Sequence, residues 1–221
     1  MSTTRATSTS PSTIWLILAV LGFVGFGLLT IAVSSQATQA LDLDVLSRLA
    51  PLSAFNGFWI FFSELGNYPM IPIGLGYAGW LWWRGRHREA IVALVMFGVA
   101  TAVSEGTKAL VARPRPQGGG AGIPGVVYSY PSGHSLEDLM IFGMISLTLW
   151  RSGQPAWQKW LMLAFTAFEV VMVTVARVVL AVHYPSDMLG GILVAVGVLG
   201  LYAWLTRQGG WADRPPREWH R

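Results

Sequence analysis

The chain has 221 residues, a length for one domain, and 53% of them are hydrophobic while only 12% are charged, about half the roughly 25% of an average soluble protein. That balance argues against a water-soluble domain and, with 11 Trp and 25 Gly, for lipid as the solvent, since Trp gathers at membrane interfaces and Gly is accepted in packed spans. The formal charge of +4 does not indicate nucleic-acid binding, because the basic residues flank apolar runs, and the absence of Cys excludes disulfides, thiolate metal sites and a Cys nucleophile.

In chain order, residues 1–12 are Ser/Thr-rich and read as a disordered tail. An uncharged apolar stretch, 14–33, follows and is long enough to span at about 20 residues per crossing. A cleaved signal peptide ending near Ser35-Gln36-Ala37 is the alternative, but the stretch exceeds the roughly 7–15 residues of a signal h-region. Residues 41–66 carry Asp42, Asp44, Arg48 and Glu64 among apolar side chains, with Pro51, and read as short interfacial helices. Gly66-Asn67-Tyr68-Pro69 punctuates the chain before a second span at 68–83. Further spans are expected at 89–112, 132–150, 159–182 and 186–207. The fold class is therefore all-α: a six-transmembrane-helix bundle over residues 13–207, with 208–221 as a C-terminal tail.

An even number of spans puts both termini on one side. With the termini inside, Arg5, Arg84, Arg86, Arg88, Arg151, Lys159, Arg207, Arg214, Arg217 and Arg221 are all cytoplasmic, as the positive-inside bias requires. Trp80, Trp82, Trp83, Trp150, Trp157, Trp160, Trp204 and Trp211 fall near the inner ends, as an aromatic belt would. Lys108, Arg113, Arg115 and Arg177 are left over and need another explanation.

Counting up each helix at about 1.5 Å per residue brings Lys108, Arg113 and Arg115, then Ser132, Gly133 and His134, then Arg177, His183 and Asp187, to similar height at the outer surface. A charge deep in a span costs roughly 2.5–3.5 kcal/mol, less near the interface, so clustered cations here mark a site. Arg matches phosphate oxygens with a planar fork and Lys adds a point charge, so the group favours a polyanion. Pro131-Ser132-Gly133-His134 opens a helix, where unpaired backbone N–H groups face an anion and Gly133 lets the backbone approach closely. Two histidines supply a nucleophile and a group that exchanges a proton near neutral pH.

Lys108, six residues and Arg115-Pro116; Pro131-Ser132-Gly133-His134; and Arg177, five residues, His183, three residues and Asp187 together resemble the three-part signature of the type 2 phosphatidic acid phosphatase superfamily. Its members are integral-membrane lipid phosphatases, with soluble and haloperoxidase relatives. The resemblance implies that His183 attacks phosphorus to form a phosphohistidine, with Asp187 orienting its ring. It implies that His134 protonates the leaving group and then activates water, and that Lys108, Arg115, Ser132, Gly133 and Arg177 hold the phosphate. The scheme needs no metal and no cofactor, and the sequence shows no carboxylates at metal-ligand spacing. Ala176 departs from the family pattern, which has Ser before the Arg. The duplicated Arg113-Pro114-Arg115-Pro116 leaves two registers, of which family spacing selects Arg115 and makes Arg113 an accessory outer contact.

Gln117-Gly118-Gly119-Gly120-Ala121-Gly122 reads as a flexible outer loop, or alternatively as a flap over the site. Glu105, three residues before Lys108, is positioned to pair with it. Glu137 and Asp138 have two readings: helix-start stabilisation, with Ser135 and Asp138 at capping-box spacing, or accessory contacts to a polar headgroup. Glu169 sits mid-span and needs a partner, while His87 and His220 read as bystanders. The expected partner is a lipid phosphate or diphosphate taken from the bilayer: a polyprenyl diphosphate, phosphatidylglycerol phosphate or phosphatidic acid. The family resemblance and small size imply a bacterial inner membrane, with the site facing outward. A lipid-to-lipid phosphotransferase, or a non-catalytic lipid-binding or transport protein, are the alternative functions.

Overall fold

The stretch 14–33, free of charge, forms the core of a 24-residue helix, α1 (Pro11–Ser34), in a computed structural model that describes residues 11–67, 69–116 and 128–207. The segment read as interfacial becomes α2 (Gln39–Leu49), a 3₁₀ turn (Ala50–Phe55) and α3 (Asn56–Leu65). α4 (Met70–Trp83), α5 (His87–Val111), α6 (Gly133–Trp150), α7 (Ala156–Val179) and α8 (Pro185–Arg207) follow. Among the described residues there is no strand, only one isolated bridge between Pro114 and Tyr128. Most of the tails, the glycine run with its proposed flap, and Tyr68 lie outside the described residues.

Among the described residues, five stretches are long and apolar enough to cross a membrane: Ser12–Ser34, Gln39–Trp83, His87–Val111, Ala156–Val179 and Pro185–Arg207. The span expected at 68–83 is a helix of 14 residues, about 21 Å at 1.5 Å per residue, shorter than the roughly 30 Å hydrocarbon core. α6 is not among the five; it has 18 residues and begins with His134, Glu137 and Asp138.

α8 forms the axis of the bundle, with α1, α5 and α6 packed around it. Its glycines let α1 lie against it: a side chain at Gly200 would fall 2.6 Å from the Ala19 backbone nitrogen and 2.7 Å from the Trp15 carbonyl oxygen. Met70, Leu81, Leu136, Met140, Val194 and Val198 fill the centre. Toward the end away from α6's start, Tyr77 bonds Thr148 Oγ1 at 2.7 Å and Tyr202 Oη at 2.8 Å, so polar groups there are paired. Leu21, Leu28 and Ile31 are exposed along α1, and Trp82, Trp83, Trp150, Trp157 and Trp160 are exposed at that same end. Apolar side chains facing outward along a buried-core bundle are what a lipid environment accommodates.

Candidate active site

Three loops turn the predicted site residues inward, each by a local backbone device. α5 stops at Ala112, whose φ of 48° and ψ of 36° are left-handed and whose amide bonds the Lys108 carbonyl at 2.9 Å. A non-glycine residue there costs roughly 1–2 kcal/mol, and the turn directs Arg113 into the protein. The corner between α7 and α8 repeats the device: Ala181 has φ 52°, and the amides of Val182 and His183 both donate to the Arg177 carbonyl, at 3.1 and 3.3 Å. At the third loop, the Ser132 amide donates to the Asp187 carbonyl and Ser135 Oγ donates to the Met188 carbonyl, each at 2.9 Å. A side chain at Gly190 would lie 2.6 Å from the Tyr130 ring, and one at Gly191 would overlap the Ser132 carbonyl. The glycine pair of α8 thus sets how closely the two histidine-bearing segments meet.

The outcome is a polar cavity of about 140 Å³ lined by Asn67, Lys108, Arg115, Gly133, His134, Glu137 and His183. The imidazoles of His134 and His183 are 5.9 Å apart between ring centroids. A Cβ on Gly133 would come no nearer than 3.8 Å to Lys108 Nζ, so the helix start opens directly on the cavity. His134 Nε2 and Ser132 Oγ are buried and make no hydrogen bond within the protein.

The state of His183 follows from its neighbours. Arg115 Nη1 lies 3.2 Å from His183 Nε2 and donates to the Val182 carbonyl at 2.9 Å. A guanidinium has only donors, so Nε2 is the acceptor and the ring proton sits on Nδ1. Nδ1 faces Asp187 Oδ2 at 3.4 Å, longer than a formed hydrogen bond. Burial, then the charges of Arg177, Arg115 and Lys108, hold the His183 pKa well below its ordinary 6.5. His183 is therefore neutral at neutral pH, with its Nε2 lone pair toward the cavity.

Asp187 is itself fixed. Its Oδ2 accepts the Tyr184 amide at 2.8 Å and its Oδ1 accepts Arg113 Nη1 at 2.7 Å. Arg113, expected as an outer contact, is 8% exposed and faces inward. Its Nη1 also donates to Ser186 Oγ, its Nη2 donates to Asp42 Oδ2 at 2.7 Å, and its guanidinium lies 3.9 Å over the Tyr184 ring. The left-handed turn at Ala112 and the antiparallel bridge at Pro114 force this inward direction.

Other expectations are met in part. Lys108 pairs with Glu105 at 2.6 Å on the cavity rim. Arg177 does not line the cavity; it is buried and donates to Ser63 Oγ at 2.9 Å, and its charge acts on both histidines. No capping box forms between Ser135 and Asp138, because Ser135 is turned to α8. Glu137 reaches the cavity wall, but Asp138 is fully buried and so cannot touch a headgroup there. Asp138 and Glu169 interact electrostatically, yet no oxygen of either makes a hydrogen bond. Among the described residues no cluster of three or more His, Asp or Glu side chains is placed to hold a metal. Asn67, Ser63, Ser186 and Asp42 were not singled out from sequence as site residues, and only the turn signal at Gly66-Asn67 hinted at any of them.

An all-helical bundle with apolar outer faces, and with two histidines set among cations at one end, is suited to a membrane-embedded enzyme that acts on an anion. The family model described as PAP2 superfamily matches residues 89–211, more than half of the chain, and the chain belongs to that superfamily. It is 29% identical over 161 residues to the undecaprenyl-diphosphatase of Sulfolobus acidocaldarius, an alignment covering 69% of this chain and 71% of the relative. Its fold is similar to the crystal structure of a transmembrane PAP2-type phosphatidylglycerolphosphate phosphatase from Bacillus subtilis. That match has a TM-score of 0.75 and 21% identity, over 86% of this chain and 96% of the other.

Proposed function

We propose that this protein hydrolyses a lipid phosphate or diphosphate through a phosphohistidine on His183. The observation that carries the reading is the placement of the His183 ring: its Nε2 lies 3.2 Å from Arg115 Nη1 at the cavity and its Nδ1 faces Asp187 Oδ2 at 3.4 Å. In the reaction, Nε2 attacks phosphorus as the bond to the leaving oxygen breaks, and His134 gives that oxygen a proton. His134 then takes a proton from water, which attacks phosphorus, breaks the P–N bond and frees phosphate. Lys108, Arg115 and Arg177, with Ser132 Oγ and the Gly133 amide, hold the phosphoryl oxygens and stabilise the transition-state charge, so the scheme runs without a metal.

The lipid character is supported by an apolar cleft of about 50 Å³ between α4, α5 and α6, lined by Ile71, Leu75, Phe97, Met140 and Met144 among others. The polar cavity takes Lys108 from the end of α5 and Gly133, His134 and Glu137 from the start of α6, two of the three helices that form the cleft, with Asn67 from the turn before α4. Likeness to an undecaprenyl-diphosphatase puts polyprenyl diphosphate first among substrates, ahead of phosphatidylglycerol phosphate and phosphatidic acid. We read α1 and α4–α8 as six spans of one domain, 13–207, with α2 and α3 interfacial. Both termini then face the cytoplasm and the site faces outward from a bacterial inner membrane.

The test is phosphate release by the detergent-purified protein from these lipids in chelator. Release by the unaltered chain, lost by at least about 10³-fold in His183→Ala and His134→Ala, is expected. Transfer that requires an added acceptor alcohol would instead make the protein a phosphotransferase.

A further inference from the structure

We propose that Asp42, on α2 and outside the three motifs, is a positioning residue for the reaction: it holds the start of α8 and the Arg113 guanidinium so that Asp187 faces His183. The inference rests on the phosphohistidine reading above.

Asp42 is 1% exposed on a helix whose neighbours Leu41 and Leu43 are 66% and 51% exposed. α2 therefore turns a carboxylate, rather than Leu41 or Leu43, fully into the protein, which only paired polar groups make favourable. The partners are present. Asp42 Oδ1 accepts the Ser186 amide at 3.0 Å, and Oδ2 accepts Ser186 Oγ at 2.6 Å and Arg113 Nη2 at 2.7 Å. The Ser186 amide belongs to the first turn of α8, whose N–H groups have no partner inside the helix. Asp42 thus caps α8 from another helix. One residue further on is Asp187, bound to the second arm of the same guanidinium.

Each contact restricts a degree of freedom that the nucleophile needs. The cap at Ser186 fixes the turn carrying Asp187, and Arg113 occupies Oδ1. Oδ2 is left to the Tyr184 amide and the His183 ring. With Asp42 neutralised, Arg113 Nη2 loses its charged acceptor, and the guanidinium is held at Asp187 and Ser186 through Nη1 with less restraint on its orientation. None of the Asp42 contacts reaches the cavity wall, so substrate binding does not depend on them directly.

The experiment is steady-state phosphate release from a polyprenyl diphosphate by the full-length protein in detergent, comparing the unaltered chain, His183→Ala and Asp42→Asn. Asp42→Asn is expected to lower kcat at least tenfold with KM within twofold, and Asp42→Glu, which restores the charge, to recover part of the loss. A kcat within twofold of the unaltered protein, or a loss confined to KM, overturns the inference while leaving the phosphohistidine reading intact. Release that survives His183→Ala overturns both. Should Asp42→Asn not purify as a folded protein, Ser186→Ala decides. It removes one of Asp42's three contacts and one of Arg113's bonds, and is expected to lower kcat three- to fivefold at constant KM; no change in kcat overturns the inference.

Discussion

Two buried charge clusters flank the same pair of histidines, and they are built in opposite ways. On the α2 side, Arg113 is bonded to Asp42, Ser186 and Asp187, and both carboxylates have further donors. On the α3 side, Asp138 and Glu169 are just as buried, yet none of their four oxygens has a hydrogen bond, and Arg177 reaches only Ser63. A buried ion pair contributes little when compared with apolar replacements, but breaking one strands a charge. The first cluster therefore fixes geometry and tolerates no loss, whereas the two carboxylates of the second have no hydrogen bonds to lose.

The largest contrast is expected in stability. Arg113→Met leaves Asp42 and Asp187 buried without their cation and should destabilise the protein by about 3–5 kcal/mol, read as a fall in the thermal midpoint in detergent. A midpoint unchanged by this substitution would break the comparison.

A second test reads the paired side through His183. Because its pKa is depressed, the neutral, nucleophilic form persists as pH falls below 6.5 and is lost only at more acid pH. The acid limb of kcat/KM assigned to His183 is therefore expected below 6.5, and Arg115→Gln, which removes one of the depressing charges, should move it upward. A limb at or above 6.5 in the unaltered protein would contradict the assignment.

The smallest effect belongs to the unpaired side. Asp138→Asn removes a carboxylate that bonds nothing, so stability should change by less than about 1 kcal/mol or rise. A loss approaching that of Arg113→Met would show that Asp138 has a partner the static contacts do not reveal.

This contrast also marks what the sequence conveyed. Lys108, Arg115, Gly133, His134 and His183 were legible because three motifs with fixed internal spacing lie at helix ends, and helix ends at one height converge. Arg113 was misread because spacing ranks the two Arg-Pro pairs but says nothing of the left-handed turn at Ala112 that drives the first one inward. Asp42 was not legible as a site residue at all. Its partners lie 71 and 144 residues away, and nothing in its own helix distinguishes it from Asp44, which pairs on the surface with Arg48. The helical class was readable from uncharged runs, but the helix after Gly66 is shorter than its apolar stretch suggested, because Pro69 and the turn at Gly66-Asn67 delay its start to Met70.

The most direct test of the central claim is rapid quenching of the protein with a lipid phosphate labelled in its phosphoryl group, followed by peptide mapping under alkaline conditions that preserve phosphohistidine. The account predicts transient label on the peptide containing His183, absent in His183→Ala. Turnover by the unaltered protein with label elsewhere, or with none on His183 at any time during the burst, would contradict it.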